Sequence, residues 1–179
     1  MGTLIKDKRL HADNWRLLDG PVDRLLYPAE DGLLPDLPAG PLIVPLIVWQ
    51  RRRDDLLDRP TGLGVWLATD AEPAAIAADL ARLEVVAVRF ASVTDGRGYS
   101  LARLLRERYG YRAELRAVGD VARDQLFYLA ACGFDAFTLA DGEDPRAALA
   151  AFADFSATYQ GTVAQPAPLF RRRFAGAPA

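Results

Sequence analysis

From Leu42 to Phe155 the chain alternates short apolar runs with longer stretches of helical period. Leu42–Val48 is rich in β-branched residues and predicts a strand. Gly64–Ala68, Val85–Phe90, Glu114–Val118 and Phe134–Ala140 repeat that signal. Between them, Glu72–Leu83 predicts a helix, with Pro73 in its first turn and Ile76, Leu80 and Leu83 on one face. Gly98–Tyr109 and Val121–Cys132 predict two more, each followed by a glycine suited to ending a helix, Gly110 and Gly133. Pro145–Phe155 predicts the last, and Arg51–Leu57 a short charged one. Residues 1–40 are broken by Gly20-Pro21, Asp31-Gly32, Pro35 and Pro38. They predict irregular structure, with small edge strands at Thr3–Ile5 and Asp13–Leu18.

Strand and helix in regular alternation are the mark of βα units and a parallel sheet, buried on both faces where the strands are continuously apolar. Two α/β architectures satisfy this order: a partial TIM-barrel-like sheet, which we favour, and an open doubly wound sheet. With 179 residues the chain is too short for a full barrel of about 250 residues. We expect one α/β domain over residues 1–160, then a Pro- and Arg-containing tail over 161–179 that is disordered. A partial barrel leaves an open flank, which predicts either a homodimer or cover from the N-terminal segment.

Composition removes several kinds of chemistry. The chain has one Cys and one His, Cys132 and His11, which excludes a disulfide framework, a Cys- or His-built metal site and a Ser–His–Asp triad. The formal net charge of −2 argues against nucleic acid as partner. The longest apolar run, Pro41–Trp49, contains two prolines and is too short to span a bilayer, and the N-terminus has no signal-like apolar stretch. We therefore expect a cytoplasmic protein with no resident metal.

Two polar loops follow consecutive predicted strands: Thr94-Asp95-Gly96-Arg97-Gly98-Tyr99-Ser100, and Gly119-Asp120-Val121-Ala122-Arg123-Asp124-Gln125. Ligands of parallel sheets bind beyond the carboxyl ends of the strands, so the two loops predict one pocket. Gly96 and Gly98 allow close backbone approach at a helix start, where free N–H groups favour an anion. Arg97, Arg103 and Arg123 add charge, and Asp95, Tyr99, Ser100, Asp120 and Asp124 complete the candidate set. A small oxyanion or an acidic group of a partner suits this chemistry. Ordinary turn and cap roles for Asp95 and Asp120 compete with that reading. The loop lacks both the P-loop and the dinucleotide fingerprint.

Elsewhere the residues read as structure. Arg103 and Glu107 form an i, i+4 pair. Arg116, inside a strand, requires a partner among Glu114, Asp120 and Asp124. Cys132 reads as a packed thiol, Trp49 and Trp66 as core residues in strands, and Tyr99, Tyr109, Tyr111 and Tyr128 as amphipathic groups able to line an interface.

The run from Asp95 to Phe137 resembles the bacterial family DUF934. The residues that carry it are Thr94–Ser100, Ala102–Arg106, Glu114–Val121, Arg123–Phe127 and Cys132–Phe137, within a likeness covering about residues 42–160. Family members are usually encoded beside sulfite reductase and phosphoadenylylsulfate reductase, and are described as oxidoreductases of sulfite reduction. The resemblance implies an accessory protein of assimilatory sulfite reduction. It would bind an oxyanion, the sulfite reductase or another sulfate-assimilation enzyme, without a redox cofactor of its own. Two alternatives stay open: a flavin- or NAD(P)-dependent oxidoreductase, and a non-catalytic oxyanion sensor.

Overall fold

The structure, a computed structural model, describes residues 2–27, 34–155 and 159–171. The Asp31-Gly32 turn and Arg172, Arg173 and Pro178 of the expected tail lie outside them.

Eight strands form one mixed sheet in the order β2-β1-β8-β7-β6-β5-β4-β3. They are β1 (Gly2–Lys6), β2 (Arg9–Asp13), β3 (Arg16–Leu17), β4 (Leu42–Pro45), β5 (Leu63–Ala68), β6 (Val85–Phe90), β7 (Glu114–Gly119) and β8 (Ala136–Phe137). From β3 to β8 every pairing is parallel and follows chain order. The hairpin of β1 and β2 adds antiparallel strands beside β8. The parallel part is thus wound in one direction, as in a partial barrel, and the doubly wound alternative does not hold.

The ends of this sheet are tied together. Strands β2 and β3 are its two edges, yet only Asn14 and Trp15 separate them. Eight strands laid flat would put the edges about 34 Å apart, at ~4.8 Å per strand. Three residue steps span about 11 Å at most. The sheet must therefore curl. Its outer face, with Leu42, Val44, Val65, Leu67, Val86, Val88, Leu115 and Ala117, packs under the helices in the main core. Its inner face holds Ile43, Val85, Ala87 and Val118, packed against Trp15, Leu17 and Trp66.

The inner face also carries charge. Arg116 on β7 is 2% exposed. Its Nη1 donates to Asp13 on β2 at 2.9 Å and its Nε to Glu114 at 2.7 Å. Nη2 is 2.7 Å from the same Glu114 oxygen, as an ion-pair contact. Lys6 completes the group, 2.8 Å from the other Glu114 oxygen. Asp13 reaches Arg116 only because the sheet curls, since β1 and β8 lie between their strands. Of the partners expected for Arg116, Glu114 is present, and Asp120 and Asp124 are replaced by Asp13. The flank that motivated a homodimer is covered by the N-terminal hairpin and β3.

The helices are short: α1 (Asp23–Leu26), α2 (Leu46–Arg51), α3 (Arg53–Leu57), α4 (Arg97–Arg103), α5 (Leu126–Ala131) and α6 (Pro145–Ala148). Several expectations change here for local reasons. The strand expected over 42–48 stops at Pro45, which has no N–H for the ladder and serves as the N-cap of α2. Trp49, expected in a strand, is buried in α2 instead. Pro73–Arg82 winds as a 3₁₀ helix, whose eclipsed i, i+3 side chains are tolerated because five of the ten residues are alanine. A π-helical turn, Leu104–Arg108, continues α4. Strand β8 is shorter than expected, although Asp135 and Thr138 still donate to Leu115 and Ala117 of β7.

Candidate functional site

The two polar loops meet, as strand order demands. Asp120 N–H donates to the carbonyl of Phe90, and Val93 N–H donates to the Asp120 carboxylate at 3.1 Å. The Gln125 side chain donates to the Val93 carbonyl at 2.8 Å and accepts from Ala122 N–H at 3.0 Å. Two glycines make this approach possible. Gly119 has φ +91°, and a Cβ there would lie 2.3 Å from the Phe90 carbonyl oxygen. A Cβ on Gly98 would lie 2.5 Å from the Phe90 ring. Gly96 is different: nothing lies within 4 Å of the space its Cβ would take.

The charges within the loops are paired internally. Arg97 donates through Nε and Nη2 to both oxygens of Asp95, at 2.9 and 2.7 Å, and its backbone N–H donates to the same carboxylate. Asp70 stands 3.5 Å from Arg97 Nη1. The Thr69 hydroxyl donates to Asp95. The Arg97 guanidinium, helped by Thr69, holds the Asp95 carboxyl well below the usual carboxylate range. The donors that sequence assigns to an anion thus already serve the chain's own carboxylate.

The remaining candidates point elsewhere. Arg103 pairs with Glu107 at 3.1 Å on the outer side of α4, where Ser100 is also exposed. Arg123 pairs with Asp154 at 3.1 Å, and Asp124 is exposed. Tyr99 packs edge-on against Phe90, and burial pushes its phenol up. The loops therefore meet through Val93, Asp120 and Gln125, with Gly98 and Tyr99 against Phe90, whereas Asp95 and Arg97 turn to Thr69 and Asp70, and Arg103 and Arg123 keep separate carboxylate partners.

A second feature includes Tyr128, read from sequence as able to line an interface, together with aromatic residues that the sequence reading did not single out. On α5, Leu126 and Leu129 are fully buried, which turns Phe127 and Tyr128 away from the core. They meet Phe155, with ring centroids 4.9 Å from Phe127 and 5.7 Å from Tyr128. Tyr128, Phe155 and Tyr159 are 52%, 49% and 72% exposed. A groove of about 420 Å³ runs along them, closed by Arg103, Cys132 and Gln160. Burial pushes the Cys132 thiol up, which favours the unreactive protonated form. The signal was present: adjacent aromatics at 127 and 128 cannot both share the inward stripe of Leu126 and Leu129. Among the described residues, no helix is long and apolar enough to cross a membrane.

A curled α/β sheet with closed polar loops defines a partial-barrel protein with an exposed aromatic groove on its helical layer. The family model described as "Bacterial protein of unknown function (DUF934)" matches residues 64–170, from β5 through both loops and the aromatic groove. The chain belongs to that family. No curated protein and no solved structure matches it.

Proposed function

We propose that this chain is an accessory protein of assimilatory sulfite reduction that docks onto the sulfite reductase through its aromatic groove, with no redox cofactor of its own. The observation that carries the docking is the exposed group Tyr128, Phe155 and Tyr159 beside Arg103. Aromatic residues and Arg are the side chains that anchor protein interfaces, because aromatic rings bury large areas while losing few rotamers and a guanidinium offers a planar fork of donors. Support for the pathway comes from the resemblance of the Asp95–Phe137 run to proteins encoded beside that reductase. The oxyanion branch of the reading has less support, since Arg97 is engaged by Asp95 and Asp70.

The test is calorimetric titration of the full chain with purified sirohaem sulfite reductase. We expect a complex that Tyr128→Ser weakens about thirtyfold or more, the effect of losing one interface anchor. Cys132, on the groove wall, should alkylate more slowly in the complex. Absence of a complex at micromolar concentrations, or equal affinity in Tyr128→Ser, would overturn the reading.

A further inference from the structure

A second cavity, of about 540 Å³, lies across the Phe127–Phe155 contact from the groove. Phe127, Phe134, Phe137, Phe152 and Phe155 all contribute to its wall. The cavity is half open to solvent and has the volume of a small-molecule site, with phenylalanine rings along one part of its wall and polar side chains along the rest. The wall is anchored: Phe134 and Phe137 are 3% and 1% exposed, and Phe137 packs on Phe152 at 5.5 Å.

The polar groups at the opening indicate what fits. Lys8, in the turn between β1 and β2, holds its ammonium 5.9 Å from the centre of the Phe152 ring. It makes no ion pair among the described residues. Asp135, also on the wall, is engaged: Arg106 Nη2 is 2.7 Å from one oxygen, and Leu115 N–H donates to the other at 2.8 Å. Asp7 is at the opening as well, and its carboxylate opposes a ligand of high negative charge. Both turn residues have left-handed backbones, φ 49° at Asp7 and 61° at Lys8. Gly or Asn would hold that turn with less strain, so the turn keeps Lys8 at the cavity at some conformational cost.

We propose that this cavity binds a small aromatic monoanion, its ring among the phenylalanines and its acid group on Lys8. The proposal is independent of the docking reading and uses the opposite side of the Phe127–Phe155 pair.

The test uses 8-anilinonaphthalene-1-sulfonate as probe, followed by fluorescence and calorimetry on the full chain, with thermal melts of every variant. We expect saturable binding of one probe per chain. Lys8→Met, at an exposed position, should weaken it about tenfold, the effect of losing one charge-assisted contact. Ala130→Leu, which narrows the cavity and does not line the groove, should weaken it as well, whereas Gln160→Ala, on the groove wall alone, should not. The neutral analogue N-phenyl-1-naphthylamine should bind wild type and Lys8→Met equally. Absence of saturable binding, or equal sulfonate affinity in wild type and Lys8→Met, would overturn the proposal. So would loss of binding in Gln160→Ala.

Discussion

Removing the Arg106 guanidinium should be among the most damaging single changes to this fold. Arg106 is 6% exposed on the π-helical turn after α4. It donates to the carbonyls of Gly133, Tyr111 and Ala113 at 2.9, 2.8 and 2.8 Å, and to Asp135 at 2.7 Å. One side chain thus ties the helical layer to the segments that lead into β7 and into β8. Arg106→Met keeps the apolar stem but leaves three carbonyls and a carboxylate without their donor. Removing one partner of a buried pair costs about 3–5 kcal/mol. For a chain of this size that lowers the melting temperature by roughly 6–20 °C. Burial raises the Asp135 pKa even with Arg106 beside it. The folded state therefore holds that proton more tightly than the unfolded one, and its stability falls as pH rises between the unfolded value, about 3.9, and the raised folded value. Without Arg106 the folded value rises further, so the deficit of Arg106→Met should shrink as pH falls from 7 to 5. Urea unfolding at both pH values measures this, and Arg106→Met with Asp135→Asn should recover part of the loss. A deficit under about 1 kcal/mol, or one that does not change with pH, would refute the account.

Two further changes probe the polar loops. Arg97→Ala should leave sulfite and sulfate titrations unchanged by calorimetry, because the guanidinium is already engaged by Asp95. The same variant should flatten acid unfolding: the depressed Asp95 pKa stabilises the fold above the unfolded value of about 3.9, and that contribution fades as pH falls below it. Anion binding that disappears in Arg97→Ala would restore the loop as an oxyanion site. Gly119→Ala should cost more than about 2 kcal/mol in urea unfolding, since its φ is +91° and Phe90 occupies the space. Gly96→Ala, with open space around it, should stay within about 0.5 kcal/mol of wild type, and equal stability of the two variants would show that the loop contact is not tight.

The central sheet was legible because its strands are continuous apolar runs separated by proline and glycine. Val85–Phe90 coincides with its predicted bounds, and Glu114–Val118 falls one residue short. Strand β2 was not legible, because Arg9–Asp13 is mostly exposed and offers only Leu10 to the core. Meeting of the two loops followed from strand order alone. Partner choice for the arginines did not follow, because it depends on tertiary neighbours: Asp154 for Arg123, and Asp13, 103 residues away, for Arg116. Only Glu114 could be read for Arg116, since residues two apart on a strand share a face.

The hairpin of β1 and β2 has two roles that the pattern of the parallel core does not reveal. It extends the sheet beyond β8 and supplies Asp13 and Lys6 to the inner charged group. Its turn also carries Lys8 to the phenylalanine cavity. The five phenylalanines of that wall lie within residues 64–170, the part matched by the family model, whereas Lys8 lies outside it. Apolar shape and head-group charge are therefore set by separate parts of the chain. The wall decides that an aromatic body fits, and the turn decides which charge accompanies it. Lys8→Glu should keep the cavity and its affinity for a neutral ring while rejecting the sulfonate, because the ammonium contact is then replaced by repulsion beside Asp7.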